Sequence, residues 1–279
     1  MIREFINFII YLTIIILISK YILVKVLRKL AENLNLKPQT IGNIAGVATS
    51  IPELLTITVS SINGLMGASI INIISSNVIN FVQYLASVFL NKNRRVFQNK
   101  AILIDIILVA FTIIIPIVFI KWDIQINITI VPLFVILYMF FRYLNNNAHK
   151  LYLKKEDEEL AKKIEEEGIK EKGDTRKTVV YIFSLLFTGV LLFLVGEALG
   201  NTLESLNKEF NISEIVIGIL LGVSTSIPEL ITFFESQSYY KGENDILGVV
   251  EATNNLLTSN ILNLFVIQSI GLVIFNIFV

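Results

Sequence analysis

Two copies of one hexapeptide carry the densest chemistry in the chain. Thr49-Ser50-Ile51-Pro52-Glu53-Leu54 and Thr225-Ser226-Ile227-Pro228-Glu229-Leu230 are identical at all six positions and lie 176 residues apart. Each copy holds two hydroxyls, a carboxylate and a proline. A proline has no N–H to give a helix, and its ring crowds the carbonyl four residues back. Pro52 therefore frees the carbonyl of Ala48, and Pro228 that of Ser224. On a helix, Thr49 and Ser50 share a face with Glu53, as do Thr225 and Ser226 with Glu229. Further on, at an offset of 183, Asn72, Ser76 and Asn80 form a helical stripe that Asn255, Ser259 and Asn263 repeat. Every donor in this set is an oxygen, the ligand that hard cations such as Ca²⁺ and Na⁺ prefer. The two glutamates supply a charge of −2, enough to neutralise one divalent ion.

The setting of these residues is apolar. Of 279 residues, 54% are hydrophobic and only 16% are charged, and the charges cluster; a soluble domain carries about a quarter charged. Eight runs are long enough to cross a bilayer: 5–27, 40–61, 66–90, 101–120, 127–144, 178–200, 214–236 and 246–268. The first run, Phe5 to Ser19, has the look of a signal peptide. No small-residue cleavage site follows it and Lys20-Tyr21-Ile22 continues the helix, so it is read as a retained span. A net charge of zero leaves no basic face for nucleic acid. The absence of Cys excludes thiolate chemistry and Cys-held metals. His149 is the only histidine, and no nucleophile–base pair is present, so an enzyme and a bound cofactor are not expected.

Positive charge gives the orientation. With the N-terminus outside, nineteen of the Lys and Arg residues fall inside and three outside, and inside is where positive charge accumulates. The protein is then an integral protein of the cell or cytoplasmic membrane, with the charged segment between the fifth and sixth spans in the cytoplasm. The second span starts inside and the seventh outside, so the two repeats run through the membrane in opposite directions. Inverted repeats with interrupted helices are the mark of secondary transporters, whose site lies where the repeats meet. The expected fold is an all-α integral membrane, inverted-repeat transporter of about eight transmembrane helices. It divides into a first repeat of five spans (1–147), a cytoplasmic linker (148–177) and a second repeat of three (178–279), the second lacking its last two.

The paired Thr-Ser-x-Pro-Glu motifs resemble the two alpha-repeats of the sodium/calcium exchanger family, within the cation/calcium antiporter superfamily. The Asn72–Asn77 and Asn255–Asn260 stretches and Gly196-Glu197-Ala198 are similar to it as well. The resemblance covers most of the chain. It implies ten helices in two inverted sets of five, and alternating access by sliding of the first and sixth spans over a core. It implies cation ligands at Thr49, Ser50, Glu53, Ser76, Asn80, Thr225, Ser226, Glu229, Ser259 and Asn263. The implied activity is antiport, a secondary-active ion transport in which Ca²⁺ is exchanged for Na⁺ or H⁺. The alternative is a degenerate, non-transporting membrane protein of exchanger ancestry with a structural or assembly role. The chain departs from the family pattern where Ala48, Ser224, Ile71, Ser75, Asn254 and Thr258 replace glycines, and where Asn263 stands for a frequent Asp.

Other residues have blander roles available. Ser, Thr and Asn act as hydrogen-bonding glue between membrane helices, and Gly42-xxx-Gly46 and Gly218-xxx-Gly222 allow close packing. A structural role is hardest to argue for Glu53 and Glu229, since an unpaired acid at mid-membrane costs ~2.5–3.5 kcal/mol even on a lenient scale. Glu251, eight residues before Ser259, is the foremost of the remaining acids, although it fits the cytoplasmic mouth equally well; Glu197 and Glu235 follow. His149 is placed at the membrane interface. Glu158–Lys162 and Glu159–Lys163 suit a solvated linker helix, and Glu156–Glu159 lacks the spacing of a calcium-binding loop. The partners expected are small inorganic cations and the lipid bilayer, and a homo-oligomer is compatible with all of this.

Overall fold

The computed structural model describes residues 2–34, 36–62, 64–122, 126–153, 174–210, 213–241 and 245–279. Among these the chain is helical without strands. A backbone in lipid must satisfy its polar groups internally, and a helix does so span by span. Eight helical stretches are long and apolar enough to cross a membrane: Arg3–Leu34, Pro38–Ile62, Met66–Leu90, Lys100–Lys121, Ile128–Tyr152, Thr175–Thr202, Gly218–Tyr239 and Ile246–Phe278. They are the eight spans expected, the first, fifth and eighth running further at their C-terminal ends. The eighth continues to Phe278, so the apolar tail from Ile274 belongs to the same helix. Nothing in that stretch stops a helix: there is no proline, and Gly271 packs so tightly that a Cβ there would come within 2.6 Å of Ile57. The linker pairs Glu158–Lys162 and Glu159–Lys163 and the acids Glu156–Glu159 lie outside the described residues.

Two spans are broken at equivalent places. The second consists of Pro38–Thr49 and Ile51–Ile62, with Ser50 between them at φ −82°, ψ 1°. The seventh consists of Glu214–Thr225 and Ile227–Tyr239, with Ser226 at φ −80°, ψ 1°. Pro52 and Pro228 fall in the first turn of the second half, where a helix has no use for their N–H. This corrects one expectation: Thr49 and Glu53 do not share an unbroken helix, but sit on either side of the break.

The repeats interlock crosswise. The first half of the second span packs along the eighth span, and the first half of the seventh along the third. Glycine makes both approaches possible. A Cβ on Gly46 would come within 2.7 Å of the Asn255 carbonyl, and one on Gly222 within 2.9 Å of the Ser76 nitrogen. Gly42 and Gly218 are equally close to Glu251 and Ile71. The first span packs chiefly on the sixth, forming a pair beside this core. The fourth and fifth spans cover the eighth, where Phe265 meets Phe134 and Phe141 with ring centroids 5.6 and 5.2 Å apart. Phe265 is consequently 1% exposed, whereas its counterpart Val82 on the third span is 58% exposed.

Candidate functional site

The breaks in the second and seventh spans meet the middles of the third and eighth. All ten residues singled out in the sequence lie in this interior, and none is more than 2% exposed. Ser259 Oγ donates to Glu229 Oε1 at 2.9 Å and lies 3.0 Å from Ser50 Oγ. The Asn80 amide donates to Ser259 Oγ at 3.4 Å and to Asn260 Oδ1 at 3.3 Å. Ser76 Oγ stands 3.4 Å from Thr225 Oγ1, and the Asn263 amide donates to Asn77 Oδ1 at 3.3 Å. Thr49 Oγ1 lies 3.5 Å from Asn255 Oδ1. Asn263 falls within a π-helical segment, Leu262–Ile267, a distortion that often accompanies functional sites.

Several oxygens here lack a well-formed hydrogen bond: both of Glu53, Oε2 of Glu229, Ser226 Oγ, and Oδ1 of Asn80 and of Asn263, although the Thr225 hydroxyl lies near the Glu53 carboxyl and that of Thr49 near Glu229. All are buried. A buried acceptor without a donor costs about 1–3 kcal/mol, and more when charged, so a cluster of them needs a ligand to satisfy it. Glu53 and Glu229 also lie within electrostatic reach of one another. No basic side chain pairs with either among the described residues, where Arg28 pairs with Glu251 and His149 contacts Asp105. Nor do those residues contain a group of three or more His, Asp and Glu. The arrangement suits an electropositive guest held by oxygens and neutralised by two carboxylates.

The remaining repeated amides hold helices together. Asn72 donates to Thr56 Oγ1 at 2.9 Å, and Asn255 makes the equivalent bond to Thr232. Asn77 and Asn260 clamp the third span to the eighth, each amide donating to the other's backbone carbonyl at 3.2 and 3.1 Å. Both had been visible as repeated asparagines without a separate role.

Two further polar groups escaped the sequence reading. His149 is buried rather than solvated: it is 4% exposed, with Nε2 2.6 Å from Asp105 Oδ2. Asn145 donates to the other Asp105 oxygen at 2.8 Å and to Asn254 Oδ1 at 3.1 Å. The signal was present, because Asp105 is an acid inside an apolar run. Glu251 lies at the linker end of the eighth span, where it is paired rather than free. It is 3% exposed and is gripped by Arg28 of the first span, at 2.8 and 2.6 Å.

A family model described as sodium/calcium exchanger protein matches residues 5–145 and 180–278. Solved structures of the sodium-calcium exchanger NCX_Mj are similar in fold. The form soaked with 100 mM Na⁺ and 10 mM Sr²⁺ superposes with a TM-score of 0.61 at 21% identity, over 98% of this chain and 83% of that one. The form soaked with zero Na⁺ and Ca²⁺ gives 0.57 at 21% identity, over 99% and 83%. Among curated proteins none matches.

Proposed function

The chain belongs to the sodium/calcium exchanger family, a family of membrane transporters rather than enzymes, and from that premise we propose that it exchanges Ca²⁺ for Na⁺ by alternating access to one central site. The observation that carries this reading is the cluster of buried oxygens without well-formed hydrogen bonds around Glu53 and Glu229. One Ca²⁺ or two Na⁺ balance the two carboxylates equally, so the two ions can compete for one set of ligands. The ligands proposed are Thr49, Ser50, Glu53, Ser76, Asn80 and their counterparts Thr225, Ser226, Glu229, Ser259 and Asn263. Hydroxyl and amide oxygens complete the six to eight contacts that Ca²⁺ takes at 2.3–2.6 Å.

Access changes, on this reading, when the pair formed by the first and sixth spans moves against the core. The N-terminus lies outside and the linker in the cytoplasm, as the distribution of Lys and Arg requires. The test is uptake of radioactive calcium into proteoliposomes under imposed Na⁺ and H⁺ gradients. An outward Na⁺ gradient should drive Ca²⁺ in, and uptake no faster than in empty liposomes under either gradient would leave the protein as a non-transporting relative. That second reading draws on Ser75 and Thr258, which replace family glycines. Ser75 Oγ bonds the Gly218 carbonyl at 3.1 Å and Thr258 Oγ1 bonds Asn43 at 2.7 Å, so both act as glue beside the site.

A further inference from the structure

Among the described residues the first span makes its polar contacts with the core at its linker end, where Tyr239 donates to Glu32 at 2.9 Å and Arg28 meets Glu251. Arg28 presents both ends of its guanidinium to the Glu251 carboxylate at 2.8 and 2.6 Å. The pair is nearly dry, with Arg28 14% and Glu251 3% exposed. Ser236 Oγ donates to the same carboxylate at 2.6 Å, and the Arg28 guanidinium lies 4.2 Å from the centre of the Tyr239 ring. Three bodies are thus tied at one point: Arg28 from the first span, Ser236 and Tyr239 from the end of the seventh, and Glu251 from the start of the eighth.

Directly beneath the pair is a cavity of about 10 Å³, lined by Ala45, Thr232 and Glu251 among others, room for about one water. Thr232 is bonded to Asn255, and Asn255 Oδ1 reaches Thr49. A chain of polar contacts therefore links Thr49 of the candidate site to a wall of this cavity, and Arg28 and Glu251 line the same cavity. The inverted repeat gives the comparison. The counterpart of Ser236 is Ser60, but the counterpart of Glu251 is Ala68. The far end of the molecule has Ala68 rather than a carboxylate at this place, and among the described residues the Arg–Glu pair is found at the linker end.

We propose that Arg28 and Glu251 form a one-sided latch that holds the linker-side passage shut and must open for ions to reach that side. The guanidinium serves as a tethered cation that keeps the Glu251 carboxylate neutralised while the passage is closed. Breaking the pair removes stabilisation from the closed state alone, and shifts the population toward the state open on the linker side. The inference rests on the alternating-access reading. Its test needs no ion movement, so loss of transport and loss of the latch are distinguishable.

The chain contains no Cys, which allows single-cysteine reporters without background. Ala45→Cys reports on the cavity beneath the latch, and Leu221→Cys, at the inverted-repeat position, reports on the opposite side; both native residues are buried, at 3% and 2% exposure. The proteins are held in lipid nanodiscs, where a membrane-impermeant maleimide reaches both faces. In a Glu251→Gln or Arg28→Gln background, labelling at position 45 should accelerate at least tenfold while labelling at 221 does not accelerate. Exchanging the charges, with Arg28→Glu and Glu251→Arg together, should restore protection at position 45. Arg28→Lys, which keeps the charge and loses the fork, should give an intermediate rate. Unchanged labelling at position 45 overturns the latch, and so does equal acceleration at both positions, which would mean a loosened fold. If both Gln variants fail to fold, wild-type labelling of the Arg28→Lys protein overturns it as well.

Discussion

Glu53→Gln separates a cation ligand from a structural acid. Glu53 is fully buried and neither of its side-chain oxygens has a well-formed hydrogen bond. The substitution keeps the shape and removes one unit of charge. At a carboxylate–calcium separation of about 3 Å and an effective dielectric of about 20, the attraction lost is on the order of 10 kcal/mol. Most of it is offset by hydration that the free ion keeps, and removing one partner of a buried charge pair costs about 2–5 kcal/mol in practice. Taking about 3 kcal/mol, the dissociation constant for Ca²⁺ rises about 100-fold. The assay is thermal unfolding of the purified protein with and without Ca²⁺, paired with uptake into proteoliposomes. Ca²⁺ at 100 times the wild-type dissociation constant stabilises the native protein by about 2.7 kcal/mol, and the variant by only about 0.4 kcal/mol. The ion-free variant should melt no lower than the wild type, because a like charge facing Glu229 has been removed. A variant that keeps both the calcium-induced shift and normal uptake would refute the ligand role; one that melts far lower without calcium would make Glu53 a structural residue.

Gly46→Ala and Gly222→Ala force a Cβ against backbone atoms at 2.7 and 2.9 Å and should each lower stability by about 1–3 kcal/mol in the same melting assay. Gly200→Ala, with nothing within 4 Å of the new Cβ, should be neutral or stabilising by up to about 1 kcal/mol. Asp105→Ala leaves His149 and Asn145 without their acceptor and should destabilise by about 1–3 kcal/mol or more, while the calcium-induced melting shift survives in the protein that still folds. At fixed pH, external Na⁺ should accelerate Ca²⁺ efflux; efflux indifferent to Na⁺ and driven by an inward proton gradient would assign the coupling to protons on Glu53 and Glu229.

The features legible in the sequence are those that repeat or alternate. Eight apolar runs give the spans, and the identity around Pro52 and Pro228 marks both helix breaks. The offset of 183 pairs Asn77 with Asn260 before their clamp is seen. Contacts made once have no such signature. Arg28 reads as one of several cytoplasmic positive charges, and only the fold brings it to Glu251, 223 residues away. His149 reads as interfacial because it lies near the charged linker, and what the sequence hides is its burial against Asp105, 44 residues away, where each supplies the partner the other needs. The position of each break was also hidden. Proline disrupts the turn before it, so the discontinuity falls at Ser50 and Ser226, and hydroxyl and carboxylate end on different half-helices.

Charge balance ties the proposed site to exchange rather than simple leakage. Among the described residues no Lys or Arg pairs with Glu53 or Glu229, and Arg28 and Arg142 are engaged elsewhere, with Glu251 and with Asn43 and Thr258. An empty site would therefore either carry uncompensated carboxylates in the interior or neutralise them by taking up protons. Closing that interior around bare charges is costly, as for any unpaired buried ion. One Ca²⁺ or two Na⁺ remove the excess charge and satisfy the unpartnered oxygens of Ser226, Asn80 and Asn263 together. Only the neutralised site can then pass readily through the closed state between its two openings. On the proposed reading the protein returns by carrying a cation or protons back, and coupling would follow from the two glutamates having no basic partner among the described residues.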